Sequence, residues 1–392
     1  MTRSVHGLPG RRFPCDDDVG ELPPSLCIEG AFLADPLPSE IVLRQETYRV
    51  AAAAEQKLGR LDVVTQHMPV RKHWVEQTMR REALASARLD EWLITVREAY
   101  ALDLKQPAQD RDTPLRGYLR SGIAVVKAAK RGRPLDVDLM GRLSSVTTGG
   151  RGDEPLPWRT TTAWLGGSSP AAAYLIVAPP GAELRVGTEQ WCSWVREQKE
   201  MPLIVKITAA LLQFMLLSPF PRSGHLARLA VTHELLRTRT LSAPVLPLSE
   251  WLHRHQDELP RIVRGVVESH DLDTAVSFVA ACVSEVCEVE IARIESARRQ
   301  SAEVLRKFTR RTAVVRAIQA LYAKPMMGLS EIESVCKVSD SQAAKVIRQL
   351  QEAGVVEPLD MASFRQHTTD TPYRKTVFVP SIMRVLGLWP LP

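Results

Sequence analysis

Paired cysteines are missing from this sequence. Its six cysteines, Cys15, Cys27, Cys192, Cys282, Cys287 and Cys336, are scattered, and no two have CxxC spacing. That argues against a zinc knuckle and against a disulfide framework, and it suits free thiols in a reducing compartment. Aromatic residues are few, at 6%. No hydrophobic run is long enough to span a bilayer. The most apolar stretch, Leu203 to Leu217, contains Lys206 and Gln213 and falls short of the ~20 residues a membrane helix needs. It is expected to be a buried helix. Residues 1–16 carry arginines but lack the apolar core of about 7–15 residues that marks a secretory signal. The expectation is a cytoplasmic protein without a membrane segment.

An excess of acidic charge is missing as well. The net charge is +6 over 392 residues, and it is placed unevenly. From Arg298 onward there are fifteen basic and eight acidic residues, so the tail carries +7 and the remainder is close to neutral. A basic unit on a neutral body points either to a polyanion partner for that unit or to ordinary solvated surface. At roughly 150 residues per domain, the length predicts two or three domains.

Residues 1–37 are rich in Pro, Gly and Asp and read as an extended arm. Helical patterning begins at Ser39, a candidate cap, and runs to about Gly59. Apolar residues at helical spacing from Val75 to Tyr100 predict a long segment over Arg71 to Leu102. Further helices are expected over Pro114 to Lys130 and Asp136 to Leu143. Two strands, Thr160 to Leu165 and Ala172 to Val177, flank Gly166-Gly167-Ser168-Ser169-Pro170, a hairpin signature. Helices resume at Glu183. The segment Ser284 to Phe308 has an apolar face suited either to its own domain or to a second copy, a homodimer.

The buried helix over Leu203 to Leu217 ends at Ser218-Pro219-Phe220-Pro221, and another helix opens near Gly224. A helix start presents unpaired N–H groups and the positive end of a dipole, and Ser223 and Gly224 are small enough to let an anion approach. An ordinary loop between core helices reads the same way.

Four pieces of sequence resemble the Fic (AMP-transfer) family, in that family's order. They are Arg81-Glu82-Ala83-Leu84-Ala85-Ser86-Ala87-Arg88-Leu89-Asp90, then Trp158 to Gly167, then Gln213 to Phe220, then Leu226-Ala227-Arg228-Leu229. The resemblance implies a mainly α fold: a Fic-like helical bundle with a β-hairpin flap, followed by a C-terminal winged helix-turn-helix. It implies a Fic N-terminal helical region over 38–110, a core over 111–300, and a linker helix with the winged helix over 301–392. It also implies AMP transfer from ATP to a hydroxyl of a target protein aligned by the flap, at Thr162, Trp164 and Gly166. The family pattern is His-Pro-Phe-x-(Asp/Glu)-Gly-Asn-Gly-Arg-x-x-Arg, in which the His is the general base and the acid holds Mg²⁺.

This sequence departs from that pattern. Ser218 stands at the His position, and a serine hydroxyl is no base near neutral pH. The motif is one residue short and has no acid for Mg²⁺. Ser223, Gly224, His225 and Arg228 remain as candidate contacts for the phosphates of ATP. Asp90 falls at the position of an inhibitory Glu, where it is expected to pair with Arg228. The leading expectation is a non-catalytic regulator or binding protein. The alternatives are an active transferase with a variant motif and a purely partner-binding protein.

The C-terminal unit shows helices over Thr312 to Tyr322, Leu329 to Cys336 (capped by Ser330) and Gln342 to Ala353, then strands at 355–357 and 375–379. On the DNA-binding reading, the third helix offers Gln342, Lys345 and Arg348 to base edges, and Lys375 on the wing touches phosphate. Winged helices that contact only protein are the other reading.

Overall fold

A computed structural model describes residues 8–14, 22–68, 71–96, 99, 114–152, 154, 156–167, 169–308, 312–358 and 376–388. They fall into two compact units, one built from 1–62, 79–94 and 110–288, the other from 63–78, 95–109 and 289–392. The chain is mainly helical with small antiparallel sheets. Among the described residues no helix is long and apolar enough to cross a membrane.

In the first unit the segment expected as an extended arm is folded. Strand β1 (Gly10–Phe13) pairs antiparallel with β2 (Ala31–Ala34), and helix α1 (Pro24–Glu29) lies between them. Every residue of β2 is buried. Gly30 makes the return: its φ is +76°, and a Cβ there would meet the Phe13 carbonyl oxygen at 2.3 Å.

Helix α2 (Gln45–Gln66) starts later than Ser39 and runs through Gly59. Its buried face, Ala51, Ala54, Leu58 and Leu61, outweighs the ~1 kcal/mol that a mid-helix glycine costs. Helix α3 (Arg71–Leu89) stops well before Leu102, where Glu91 turns to φ +62°. Next come α4 (Pro114–Lys130) and α5 (Val137–Thr147). The Asp136 carboxylate accepts the Leu139 N–H at 2.6 Å and caps α5. This helix extends past Leu143 because Ser144, Ser145 and Thr147 are buried, with the Thr147 hydroxyl donating to the Leu143 carbonyl at 2.7 Å.

The hairpin is shorter than expected: β3 (Trp164–Gly166) pairs with β4 (Ala173–Ile176) across a 3₁₀ turn at Pro170–Ala172. Gly166 has φ +139°, and a Cβ there would sit 2.3 Å from the Ala172 carbonyl oxygen. On the far side of β4, Val177 bridges to Phe32 of β2. Helix α6 (Ala182–Glu197) leads to α7 (Leu203–Leu217), which occupies the predicted span and is buried almost all round. Its one charge, Lys206, bonds Glu234 at 2.5 Å. Helix α8 (Ser223–Arg237) packs on α7 and on α4. Helices α9 (Leu248–Arg254), α10 (Leu259–Ser269) and the long α11 (Leu272–Arg306) follow. On α11, Val286, Ile291, Ile294 and Ala297 are buried in the chain itself.

The second unit runs helix, strand, helix, helix, strand, strand: α12 (Thr312–Ala323), β5 (Met326–Gly328), α13 (Leu329–Cys336), α14 (Asp340–Glu352), β6 (Glu357–Pro358) and β7 (Thr376–Phe378), closed by α15 (Pro380–Val385). The sheet order is β5-β7-β6. The cap of α13 is Gly328 rather than Ser330, and the Gly328 N–H donates to the Glu331 carboxylate at 3.1 Å. Lys375 lies outside the described residues.

The closest approach in the first unit is at Gly117 of α4. A Cβ there would lie 2.0 Å from the Thr147 carbonyl oxygen at the end of α5. Gly117→Ala is therefore expected to destabilise the protein by about 1–3 kcal/mol, the range for overpacking. Urea unfolding followed by tryptophan fluorescence measures this, and an unchanged midpoint would contradict the close crossing.

Candidate functional site

The first unit carries an open cleft of about 870 Å³. It is walled by the end of α3, the hairpin, the loop after α7 and the start of α8. Asp90, Trp164, Gly166, Ser218, Ser223, Gly224 and Arg228 all line it. Sequence positions more than a hundred residues apart therefore meet in one place. Thr162 and His225 are not among the lining residues.

Arg159, a residue sequence reasoning did not single out, organises this wall. Its side chain donates to the carbonyls of Ser218 (2.8 Å), Leu217 (3.1 Å), Thr161 (2.8 Å) and Ala178. Its own N–H donates to the Pro219 carbonyl at 2.9 Å. A guanidinium in the final carbonyls of α7 satisfies groups that the helix leaves unpaired, at the negative end of the dipole. Burial pulls its pKa down to about 10, so it stays charged at neutral pH. The bond to Thr161 also explains why 160–163 does not continue the β3 strand.

Ser218 closes α7 in the left-handed region at φ +45°. Its hydroxyl donates back to the Met215 carbonyl at 2.7 Å. The loop closes at Arg222, also left-handed at φ +62°. The first bond inside α8 is Leu226 N–H to the Arg222 carbonyl, which leaves the N–H groups of Ser223, Gly224 and His225 without an intrahelical acceptor. The Ser223 hydroxyl donates to the Phe220 carbonyl at 2.7 Å.

Asp90 does not make the expected pair with Arg228. Its carboxylate accepts the Tyr118 hydroxyl and lies 3.9 Å from Arg222. Arg222 in turn lies over the Trp92 ring, 5.4 Å from its centroid. Arg228 is 7% exposed. Its Nη2 donates to the Ser86 hydroxyl at 2.6 Å, its Nε has no acceptor, and its Nη1 lies 3.6 Å from where a Cβ on Gly224 would be. Near it is Glu82, whose carboxylate accepts the Ser249 N–H at 2.8 Å and hydroxyl at 2.5 Å. Burial pushes the Glu82 carboxyl upward against the pull of the Arg228 cation.

His225 points into the core. It is 1% exposed, its Nδ1 is 2.7 Å from the Ser86 hydroxyl and its Nε2 is 2.9 Å from the Ser121 hydroxyl. The Ser121 hydroxyl donates to the Tyr118 carbonyl, so it accepts the His225 Nε2–H. Nδ1 then accepts from Ser86, which accepts from Arg228. Burial, with the Arg228 and Arg222 cations, drives the His225 pKa well below 6.5. The ring is neutral, and its place in helix α8 is the only signal that could have marked it as core.

No histidine lines the cleft. Among the described residues no group of three His, Cys, Asp or Glu could hold a metal. The loop from Ser218 to Arg222 carries no carboxylate. The carboxylates that line the cleft are Asp90, Glu91 and Asp257, none of them on that loop.

A histidine held neutral when folded binds a proton on unfolding. Its contribution to stability is full above about pH 6.5 and falls as the pH drops below that. Between pH 6.5 and 5 the His225→Gln variant should lose stability less steeply than the parent, by up to about 1.4 kcal/mol per pH unit. Denaturant titrations at several pH values test this, and identical slopes would refute the neutral, buried ring.

The sequence profile "Fic/DOC family N-terminal" matches residues 48–117. A Fic family protein from Desulfovibrio desulfuricans G20 has the same fold: it is 16% identical, with a TM-score of 0.53 over 86% of this chain and 97% of its own. A Fic domain containing signaling protein from Bacteroides thetaiotaomicron VPI-5482 is 14% identical, with a TM-score of 0.46 over 63% of this chain and 98% of its own.

Proposed function

We propose that this Fic/DOC family protein has given up AMP transfer and keeps the cleft as a binding site for a phosphate-bearing ligand. One observation carries the reading: the cleft presents anion donors but, among the described residues, no imidazole. The Ser218 hydroxyl at the base position is committed to a carbonyl, and the one imidazole of α8's first turn is locked in the core. Loss of a general base alone costs typically 10²–10⁴ in rate. The donors that remain suit a phosphate: the free N–H groups opening α8 and the Arg228 guanidinium with its unpartnered Nε. ATP is the nucleotide that the family resemblance suggests. Its phosphates would be held by Ser223, Gly224 and Arg228, without Mg²⁺, and the hairpin would face a protein target.

Calorimetric titration with ATP, ADP and AMP, with and without Mg²⁺, tests this. Binding is expected without dependence on Mg²⁺, and Arg228→Gln should weaken it about tenfold or more, the loss of a charge-assisted bond. Incubation with ATP labelled on the α-phosphate should leave the protein unlabelled. Label on the chain or on an added protein would favour the rival reading, an active transferase.

A second proposal concerns the second unit, as a DNA-binding module. Gln342, Lys345 and Arg348 are all exposed on one face of α14, while Ala343, Val346, Ile347 and Leu350 are buried on the other. Glutamine and arginine at such positions can read adenine and guanine edges. Glu352, also exposed on this helix, limits how much phosphate the face tolerates. In a gel-shift series affinity should fall steeply with salt, and Arg348→Ala should weaken binding. A flat salt dependence would point to a protein partner instead.

A further inference from the structure

The charge in the cleft is sorted by depth. Three arginines line it, Arg159, Arg222 and Arg228, along with three carboxylates, Asp90, Glu91 and Asp257. The total is neutral. The distribution, however, is not uniform. Arg228 is buried at the floor beside the open N–H groups of α8, whereas Glu91 and Asp257 are exposed. Arg159 is taken up by carbonyls, and Asp90 by Tyr118 and Arg222. The floor is therefore an anion seat, and the rim is acidic. Glu91 also stands beside the hairpin, its Oε1 2.9 Å from where a Cβ on Gly167 would be.

One edge of that hairpin is open. Strand β4 has β3 on one side and the Phe32 bridge on the other. Strand β3 has no strand on its outer edge among the described residues, and Trp164, Leu165 and Gly166 line the cleft. An extended peptide can add to such an edge through main-chain hydrogen bonds.

The geometry points to a phosphorylated serine or threonine on a peptide with basic neighbours as the ligand of this cleft. The peptide lies along β3, its phosphate sits on the α8 N-terminus and Arg228, and its flanking arginines or lysines face Glu91 and Asp257. A phosphorylated side chain carries about −1.5 to −2 charge at pH 7, which one guanidinium and a helix start can balance. The inference rests on the anion-binding reading above and narrows its ligand.

The test is fluorescence anisotropy of the full chain with a short labelled peptide bearing one central phosphoserine flanked by arginines. The same peptide without phosphate, the same phosphopeptide with glutamates in place of the arginines, and free AMP and inorganic phosphate as competitors complete the set. Binding is expected to need the phosphate and to weaken about tenfold when the flanks become acidic. Asp257→Asn, a change at an exposed site, should reduce the preference for basic flanks without removing the requirement for phosphate. Arg228→Gln should weaken every phosphate-bearing probe. If AMP and phosphate bind but the phosphopeptide binds no tighter than phosphate, the inference falls and the anion-binding reading stands. If no phosphate-bearing probe binds, both fall.

Discussion

The Arg159 guanidinium, set in the terminal carbonyls of α7, is the joint on which the rest of the site depends. It touches the end of the central helix, the turn after it, the root of the hairpin and the residue following β4. Helix ends leave carbonyls unpaired, and burying them without donors costs about 1–3 kcal/mol each. A single planar, permanently charged fork meets several at once, which a lysine could not do. With the helix end and the hairpin root pinned together, the place where α8 begins has little freedom. The cleft is the space left between these fixed parts.

The loop between α7 and α8 carries the next consequence. Two non-glycine residues, Ser218 and Arg222, adopt left-handed backbone to complete the turn between α7 and α8. Such conformations are uncommon for residues with a Cβ and persist where the surroundings hold them. Here the holders are visible: the Ser218 carbonyl on Arg159, the Ser218 hydroxyl on Met215, and Arg222 between Asp90 and Trp92. The phase of α8 that follows turns His225 inward, between Ser86 and Ser121. An imidazole so placed stabilises a core network in its neutral form and cannot also act as a base in the cleft.

Much of this was legible in the sequence, and the failures have physical causes. The span of α7 was readable because fifteen residues without a breaker, nearly all apolar, leave no other element. The hairpin was readable from its glycines, although Thr160 and Thr161 pattern like a strand and the Thr161 carbonyl is instead held by Arg159. The folded N-terminal segment was not legible: β1 and β2 are four residues each, and composition heavy in Pro, Gly and Asp masks their pairing. Strand β5 went unseen for the same reason of length. Ser330 looked like a cap, yet Gly328 opens that helix because the Glu331 carboxylate reaches its N–H. Asp90 was read as a partner for Arg228, and its bond with Tyr118 was not legible, since that pairing depends on a helix crossing that spacing alone does not encode.

Two arginines of the cleft make an instructive pair. Arg159 has its donors occupied by carbonyls and serves the fold. Arg228 gives one nitrogen to Ser86 and leaves Nε without an acceptor, although only 7% of the residue is exposed. A buried charged donor without a partner is costly, and more so beside the opening N–H groups of a helix, which share its sign. Glu82 offsets part of that cost, but it is itself engaged by Ser249, and burial disfavours its ionised form. The floor of the cleft is thus electrostatically incomplete while the remainder of the network is closed. The donors at that floor are thus oriented by the fold itself, through the turn that opens α8 and the bond from Arg228 to Ser86.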